Sequence, residues 1–302
     1  RWTGIDREKQ IDITVKHRRV NVREFSSEQK REFLEQWFMA VAEETSPPKD
    51  EDPLEWKQEE FKKAKIAVDE ITTYLENPQN KSLNELASTP MILQIIALLW
   101  NKQEYLAPNR SMLYLAATKY LLEERDRQKK LPIFMSAENS MHVLKPTAMW
   151  MHDQEQKDEI EKHKMHEFMQ NILNDYNKEA PDFCDFLCAR AGLLIFDNNR
   201  SYFFRHKSFR EYLAGMRIMD RWQDKKWLKK ISSHLGEEWW KESFRFYFCS
   251  ADSEKFDAFM DAFFSSSKKE LEQKELIFLL DLVKESSAKP VNALKKKLLD
   301  KR

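Results

Sequence analysis

The sequence predicts a mainly α-helical protein with one small β-hairpin. Three observations lead to this prediction. Only four of the 302 residues are glycine, whereas an average chain of this length has about twenty. Apolar side chains recur at helical spacing through most of the chain. The period changes around residues 193–204, where two short apolar runs flank a polar turn.

Local signals mark the start of several helices. Ser26, with Gln29 three residues later, forms the pattern of a capping box. Residues 54–75 are amphipathic and predict either one helix or a broken pair. Pro90 suits the first turn of a helix, and the residues after it are apolar on nearly every side. We therefore expect that helix to be buried.

The second half of the chain combines helices with the hairpin. Three helical patterns precede it, at residues 144–150, 165–176 and 181–191. Gly192 then stands where a helix would end with a residue at positive φ. The apolar runs 193–196 and 202–204 flank an Asp-Asn-Asn turn and predict the hairpin itself. Three helices followed by a small hairpin are the layout of a winged helix, and further helical patterns follow it.

Composition excludes several classes of protein. Lys plus Arg and Asp plus Glu number 51 each, so the neutral chain has no general attraction to nucleic acid or anionic membranes. No apolar run reaches the ~18 residues of a membrane span. Three cysteines do not suit a disulfide scaffold, which predicts a reducing, cytoplasmic location. Four isolated glycines cannot build a phosphate-binding loop or a dinucleotide fingerprint.

Two stretches carry a family resemblance. The first is LASTPMIL at residues 86–93, and the second comprises RAGLL at residues 190–194 and FRHKSFREYLAG at residues 204–215. In this order and spacing they resemble the C-terminal half of a NACHT module, found in STAND-class signalling NTPases. Two positions depart from the family pattern, because Arg210 stands where the family often has Gln and Gly215 where it often has Ala.

The resemblance implies a division of the chain into four segments. Residues 1–25 would be the end of the nucleotide-binding domain and a lead-in strand, and residues 26–131 helical domain 1. Residues 132–222 would be the winged-helix domain, and residues 223–302 helical domain 2 or the start of helical repeats. The P-loop and the acidic Mg²⁺-binding motif would lie before Arg1. We therefore expect the chain to be a fragment of a longer protein.

The resemblance also implies a nucleotide switch. His206 would reach the β-phosphate of ADP and hold the inactive form closed, while Pro90 would pack beside the adenine. Exchange for ATP would release the winged helix, and the protein would then form a self-oligomer in response to an unknown trigger ligand. The N-terminal NTPase domain would be the partner that binds Mg²⁺ and hydrolyses ATP. By this interpretation the chain by itself has no catalytic residue. The biological role that the resemblance implies is bacterial antiviral defence or animal innate immunity.

Other interpretations of the same residues stay open. Two pairs of residues have the spacing of metal ligands on a helix, namely His163 with His166 and Cys184 with Cys188. For both pairs we favour a structural place on the helix surface or in the core. Glu211 and Tyr212 could form an acid–hydroxyl pair, although we favour ion pairing for Glu211 and packing for Tyr212.

A different class of function is also open. Residues 200–230 contain ten positive and three negative side chains, a net charge of +7, as in a DNA-binding winged helix. The helix before the hairpin, which would read DNA, offers Asp182 and Asp185 instead. The alternatives to the nucleotide switch are therefore a DNA-binding winged-helix protein, which these two acidic residues disfavour, and a helical interaction adaptor.

Overall fold

The computed structural model describes residues 24–103, 105–154, 158–197, 200–265, 275, 277–279 and 282. These residues form 13 α-helices and three short strands, which confirms the mainly α-helical class. The helices are α1 (Ser27–Glu44), α2 (Pro53–Glu76), α3 (Lys81–Ala87), α4 (Pro90–Gln103), α5 (Arg110–Lys119), α6 (Arg125–Gln128), α7 (Ala137–His152), α8 (Lys162–Leu173), α9 (Ala180–Asp185), α10 (Lys207–Asp220), α11 (Lys225–Ser232), α12 (Lys241–Ser250) and α13 (Ser253–Phe264). The strands are β1 (Glu159–Glu161), β2 (Leu194–Asp197) and β3 (Ser201–Phe204).

The chain divides into two compact units, one ending at Ala117 and the other beginning at Thr118. This division does not decide the boundaries of the four segments predicted from the sequence, which remain predictions. The lead-in strand predicted within residues 1–25 falls almost entirely outside the described residues. Among the described residues, no single helix has the length and apolar character of a membrane span, although the bent pair of residues 78–87 and 90–102 does when taken together.

The first unit is built from helices α1 to α4 and most of α5. The capping box is confirmed, because the Ser26 Oγ accepts from the Gln29 N–H at 3.3 Å and the Gln29 Oε1 accepts from the Ser26 N–H at 3.0 Å. The amphipathic stretch forms one continuous helix, α2, which begins at Pro53 and is capped by Asp52. Its apolar face packs mainly on α1. The core residues of this unit include Leu34, Phe38, Val68, Ile71, Leu93 and Leu99.

The second unit begins with the winged helix. Helices α7, α8 and α9 precede the hairpin of β2 and β3, as predicted, and Gly192 has a φ of +68°. Strand β3 lies in the middle of an antiparallel sheet of order β1–β3–β2. The third strand, β1, was not predicted. It is only three residues long and contributes a single apolar side chain, Ile160, so it shows no alternating pattern.

Helix α10 joins the winged helix to the helices that follow. It packs on α7 on one side and on α12 on the other. The core formed with α11, α12 and α13 is rich in buried aromatic side chains, including Phe244, Tyr247, Phe248, Phe256, Phe259 and Phe263. The close approach of α10 and α12 depends on Gly215, because a Cβ placed there would lie 2.6 Å from the Ser243 carbonyl oxygen and 2.9 Å from the Cβ of Phe246.

Replacing Gly215 by alanine is expected to destabilise the second unit by about 1–3 kcal/mol, because the added methyl group overpacks a contact with backbone. In an uncrowded helix, alanine would instead raise the free energy of unfolding relative to glycine by roughly 1 kcal/mol. A decrease in the free energy of unfolding therefore indicates crowding at Gly215. A denaturant titration of both proteins measures the difference. Unchanged or increased stability would show that α12 can move away from α10 at little cost.

Candidate functional site

His206 occupies the junction between the hairpin and helix α10. Strand β3 ends at Phe204, and His206 is the residue that immediately precedes the helix, with extended backbone angles. Its side chain does not cap the helix. Among the residues that the structure describes, none forms a hydrogen bond or an ion pair with its half-buried ring.

The surroundings of His206 favour the neutral form of its ring. Burial lowers the pKa of the imidazole below its ordinary value, and the nearby charge of Arg205 lowers it further. A neutral imidazole has one N–H donor and one acceptor nitrogen. It lies at the N-terminus of α10, where the helix dipole and the first backbone N–H groups favour a negative charge. The junction is therefore chemically suited to an anionic oxygen.

The neighbours of His206 are held by other contacts. The Arg205 side chain donates from Nε to the Gly192 carbonyl oxygen at 3.0 Å. The Arg205 backbone N–H donates to the Leu193 carbonyl oxygen at 2.8 Å, which fixes the end of the hairpin. The Lys207 Nζ lies 3.3 Å from a carboxylate oxygen of Glu211 and 4.4 Å from the centre of the Trp239 ring. Of these three side chains, only His206 has no such contact among the described residues.

Pro90 lies in the first unit, whereas His206 lies in the second. Pro90 is the first residue of α4, where the Thr89 carbonyl oxygen accepts from the N–H groups of Ile92 and Leu93 at 3.0 and 3.1 Å. Pro90 is half-buried, so part of its rigid ring is accessible. The structure thus presents an ordered apolar surface at this position.

The turn before Pro90 is held by a buried lysine that sequence analysis missed. The Lys30 Nζ donates to the backbone oxygen of Asn84 at 3.1 Å and to its side-chain oxygen, and also to the Ser88 Oγ at 3.3 Å. The Phe25 N–H donates to the Ser88 carbonyl oxygen at 2.7 Å. Burial lowers the pKa of Lys30. A lysine in a highly charged helix carries no sequence signal for this role.

A cluster of buried polar and aromatic side chains supports the first turns of α10. Arg210 is 1% exposed, and its Nη2 lies 2.8 Å from the Asp158 Oδ1. Its guanidinium lies 4.7 Å from the centre of the Trp239 ring. That ring stacks on His152 and donates from its Nε1 to the His152 carbonyl oxygen at 2.8 Å. Burial holds the pKa of His152 well below its usual value, and Arg210 and Lys207 lower it further.

The preferred interpretation of Glu211 and Tyr212 is confirmed. Glu211 pairs with Lys207, and burial raises the pKa of its carboxyl group. Tyr212 is 2% exposed and packs edge-on against Phe246 with ring centres 5.4 Å apart. Neither arrangement resembles an exposed acid–hydroxyl pair. These two side chains therefore stabilise α10 within the unit.

Three of the four residues considered as metal ligands make other contacts, and Cys188 is a partly buried free thiol. The His166 Nε2 lies 3.1 Å from the Tyr202 hydroxyl group, and His163 is 71% exposed beside Glu161. The buried Cys184 thiol lies 3.7 Å from the Met169 sulfur, and burial raises its pKa to about 12. Within the described ranges, no three His, Cys, Asp or Glu side chains are grouped as metal ligands would be.

The ten positive side chains of residues 200–230 do not form one uniform surface. Four of them pair with carboxylates, namely Lys207, Arg210, Arg221 and Lys230. Arg205 is bound to a carbonyl oxygen. Three exposed lysines of α11, which are Lys225, Lys226 and Lys229, have no carboxylate within ion-pair distance among the described residues.

Three helices, a hairpin and a returning helix define the class of this domain as a winged helix. Comparison with protein families matches residues 110–218 to the winged helix-turn-helix domain C-terminal to NACHT. The match covers slightly more than a third of the chain, and over those residues it confirms the resemblance to the C-terminal region of a NACHT protein. A domain of this kind implies an N-terminal NTPase domain as its partner. A search of curated proteins found no match to the chain.

Proposed function

We propose that this chain is the regulatory part of a NACHT-type STAND NTPase and senses whether ADP or ATP is bound. The observation that carries the proposal is the half-buried ring of His206, which has no partner among the described residues although its neighbours are engaged. A donor left free at the positive end of a helix suits a phosphate oxygen. The nucleotide, its Mg²⁺ and the hydrolytic chemistry belong to the N-terminal NTPase domain.

Each proposed residue has a distinct role. His206 donates a hydrogen bond to the β-phosphate of ADP, and Pro90 supports the adenine with its rigid ring. The Lys30 contacts keep the turn before Pro90 in place. Because α10 packs on both α7 and α12, a displacement at His206 is passed to the helices that follow. Exchange of ADP for ATP then releases the winged helix, and the protein self-associates in cytoplasmic signalling or defence.

Replacing His206 by alanine is expected to weaken ADP binding roughly ten- to a hundredfold, because a hydrogen bond to a charged group contributes about 1.5–3 kcal/mol. The measurement is calorimetry on the protein that carries this chain together with its NACHT module. His163→Ala is the matched control, since that histidine is exposed on α8 and should leave the ADP affinity unchanged. Pro90→Ala should have a smaller effect, because it removes only packing.

A pH series separates a direct contact from a structural effect of the same substitution. The pKa of free His206 is lowered by burial, and a bound phosphate would raise it by stabilising the imidazolium. ADP binding therefore takes up a proton, and its affinity should rise as the pH falls through the bound-state pKa. His206→Ala should abolish that part of the pH dependence. Equal ADP affinities and equal pH profiles of both proteins would remove His206 from the site.

Duplex DNA is not a proposed ligand. In a DNA-reading winged helix the recognition helix precedes the hairpin, a position held here by α9. Asp182 and Asp185 are exposed on this helix and would repel phosphates. The net charge of zero gives little of the electrostatic attraction that supplies non-specific DNA binding. At most a weak and strongly salt-sensitive association is expected.

A further inference from the structure

A basic stretch comprises the first part of helix α11 and the four residues before it. Residues 221–230 carry five positive side chains and one negative side chain, a net charge of +4 in a neutral chain. We call this stretch the basic face. All four of its lysines are exposed, and only Lys230 has a carboxylate within ion-pair distance among the described residues, at 2.6 Å from Asp153. Trp222 and Trp227 are half-buried within the same stretch, with Lys255 over the Trp222 ring and Arg221 over the Trp227 ring.

A surface of opposite character lies at the connection between α1 and α2. Residues 43–55 carry six acidic side chains and one lysine, a net charge of −5. We call this stretch the acidic turn. All seven are exposed, and Asp52 also caps α2. Lys57 reaches the turn but donates to the backbone oxygen of Glu43 rather than to its carboxylate. Leu54 projects from the acidic turn with 75% of its surface exposed.

We propose that the acidic turn of one copy docks on the basic face of a second copy of this chain. Charges of −5 and +4 on a neutral molecule attract at long range and fix the orientation of the encounter. Leu54 can then pack against the accessible part of Trp222 or Trp227, which removes apolar area from water. The inference deepens the self-association in the proposed function and rests on that proposal.

The contact is head-to-tail, because the acidic turn of one copy meets a different surface, the basic face, on the next copy. Each copy that uses its acidic turn keeps its own basic face free for another copy, so the assembly closes into a ring or extends as a filament. A nucleic acid on the basic face would satisfy the lysines but would leave the acidic turn and Leu54 without a partner. A second copy satisfies both surfaces at once, and for this reason we favour it.

Charge reversal tests the proposal on the whole 302-residue chain by sedimentation equilibrium at low and doubled salt. One variant reverses the basic face, with Lys225→Glu, Lys226→Glu and Lys229→Glu. A second reverses the acidic turn, with Glu43→Lys, Glu44→Lys and Glu51→Lys. Each should lower the association constant more than about tenfold, and doubled salt should weaken wild-type association. An equimolar mixture of the two variants should associate again, because every reversed surface then meets its complement.

The control reverses three exposed lysines elsewhere in the second unit, with Lys119→Glu, Lys129→Glu and Lys164→Glu, and should leave association unchanged. A mixture that stays monomeric, or a wild-type chain that does not associate at low salt, would overturn the proposal. Loss of association in the basic-face variant alone would also overturn it, because the lysines would then dock on a surface other than the acidic turn. Calorimetry with ADP tests the nucleotide proposal separately. If the charge-reversal variants behave as expected but His206→Ala leaves the ADP affinity unchanged, only the nucleotide proposal is overturned.

Discussion

Replacing Phe259 by alanine is expected to lower the free energy of unfolding by about 3–5 kcal/mol. Phe259 is fully buried at the centre of the aromatic core formed by α12 and α13. Its ring centre lies 5.2 Å from that of Phe244, 5.3 Å from that of Tyr247 and 4.9 Å from that of Phe248. The substitution removes the buried area of the ring and leaves a cavity among three side chains that are themselves fixed.

A denaturant titration followed by tryptophan fluorescence measures this effect. Leu131→Ala is the matched control, because it also truncates an apolar side chain in the second unit but one that is 44% exposed. The control should change the free energy of unfolding by no more than about 0.5 kcal/mol. If Phe259→Ala were as mild as the control, the aromatic core would have to repack freely around the missing ring.

Replacing Arg210 by alanine is expected to lower the free energy of unfolding by about 3 kcal/mol, the lower end of the range for a broken buried ion pair. The guanidinium is almost completely buried between Asp158 and the Trp239 ring. Removal of Arg210 deprives Asp158 of a cation at 2.8 Å and removes one of the two cations that lie near the Trp239 ring, the other being Lys207. Asp158 keeps a third of its side chain exposed, so water offsets part of the loss.

The matched comparison is Arg221→Ala. Arg221 also pairs with an aspartate, Asp224, and also lies over a tryptophan ring, that of Trp227. Both partners in that pair are more than a third exposed, so its loss should cost no more than about 1 kcal/mol. Equal effects of the two substitutions would show that burial adds nothing to the contribution of Arg210. A double-mutant cycle with Asp158→Asn separates the ion pair from the packing on Trp239.

The features that depend on near neighbours follow from the amino-acid sequence alone. The Ser26 capping box, the helix that begins at Pro90, the positive φ of Gly192 and the hairpin at residues 193–204 were all predicted correctly. Each follows from residues that lie within a few positions of one another, so the pattern and its physical cause are in the same short stretch. The family resemblance, which selected His206 and Pro90 as site residues, likewise rests on two short blocks of sequence.

Contacts between residues that are distant in the sequence become visible only in the folded chain. Strand β1 exists because β3 offers it hydrogen-bonding partners. Lys30 is buried because the turn that contains Asn84 and Ser88 supplies three oxygens. Gly215 is required because α12 crosses α10 closely, and the charge of Arg210 is accommodated by Asp158. In each case the partner lies more than 25 positions away, and the free energy of the contact depends on burial and distance that local spacing does not encode.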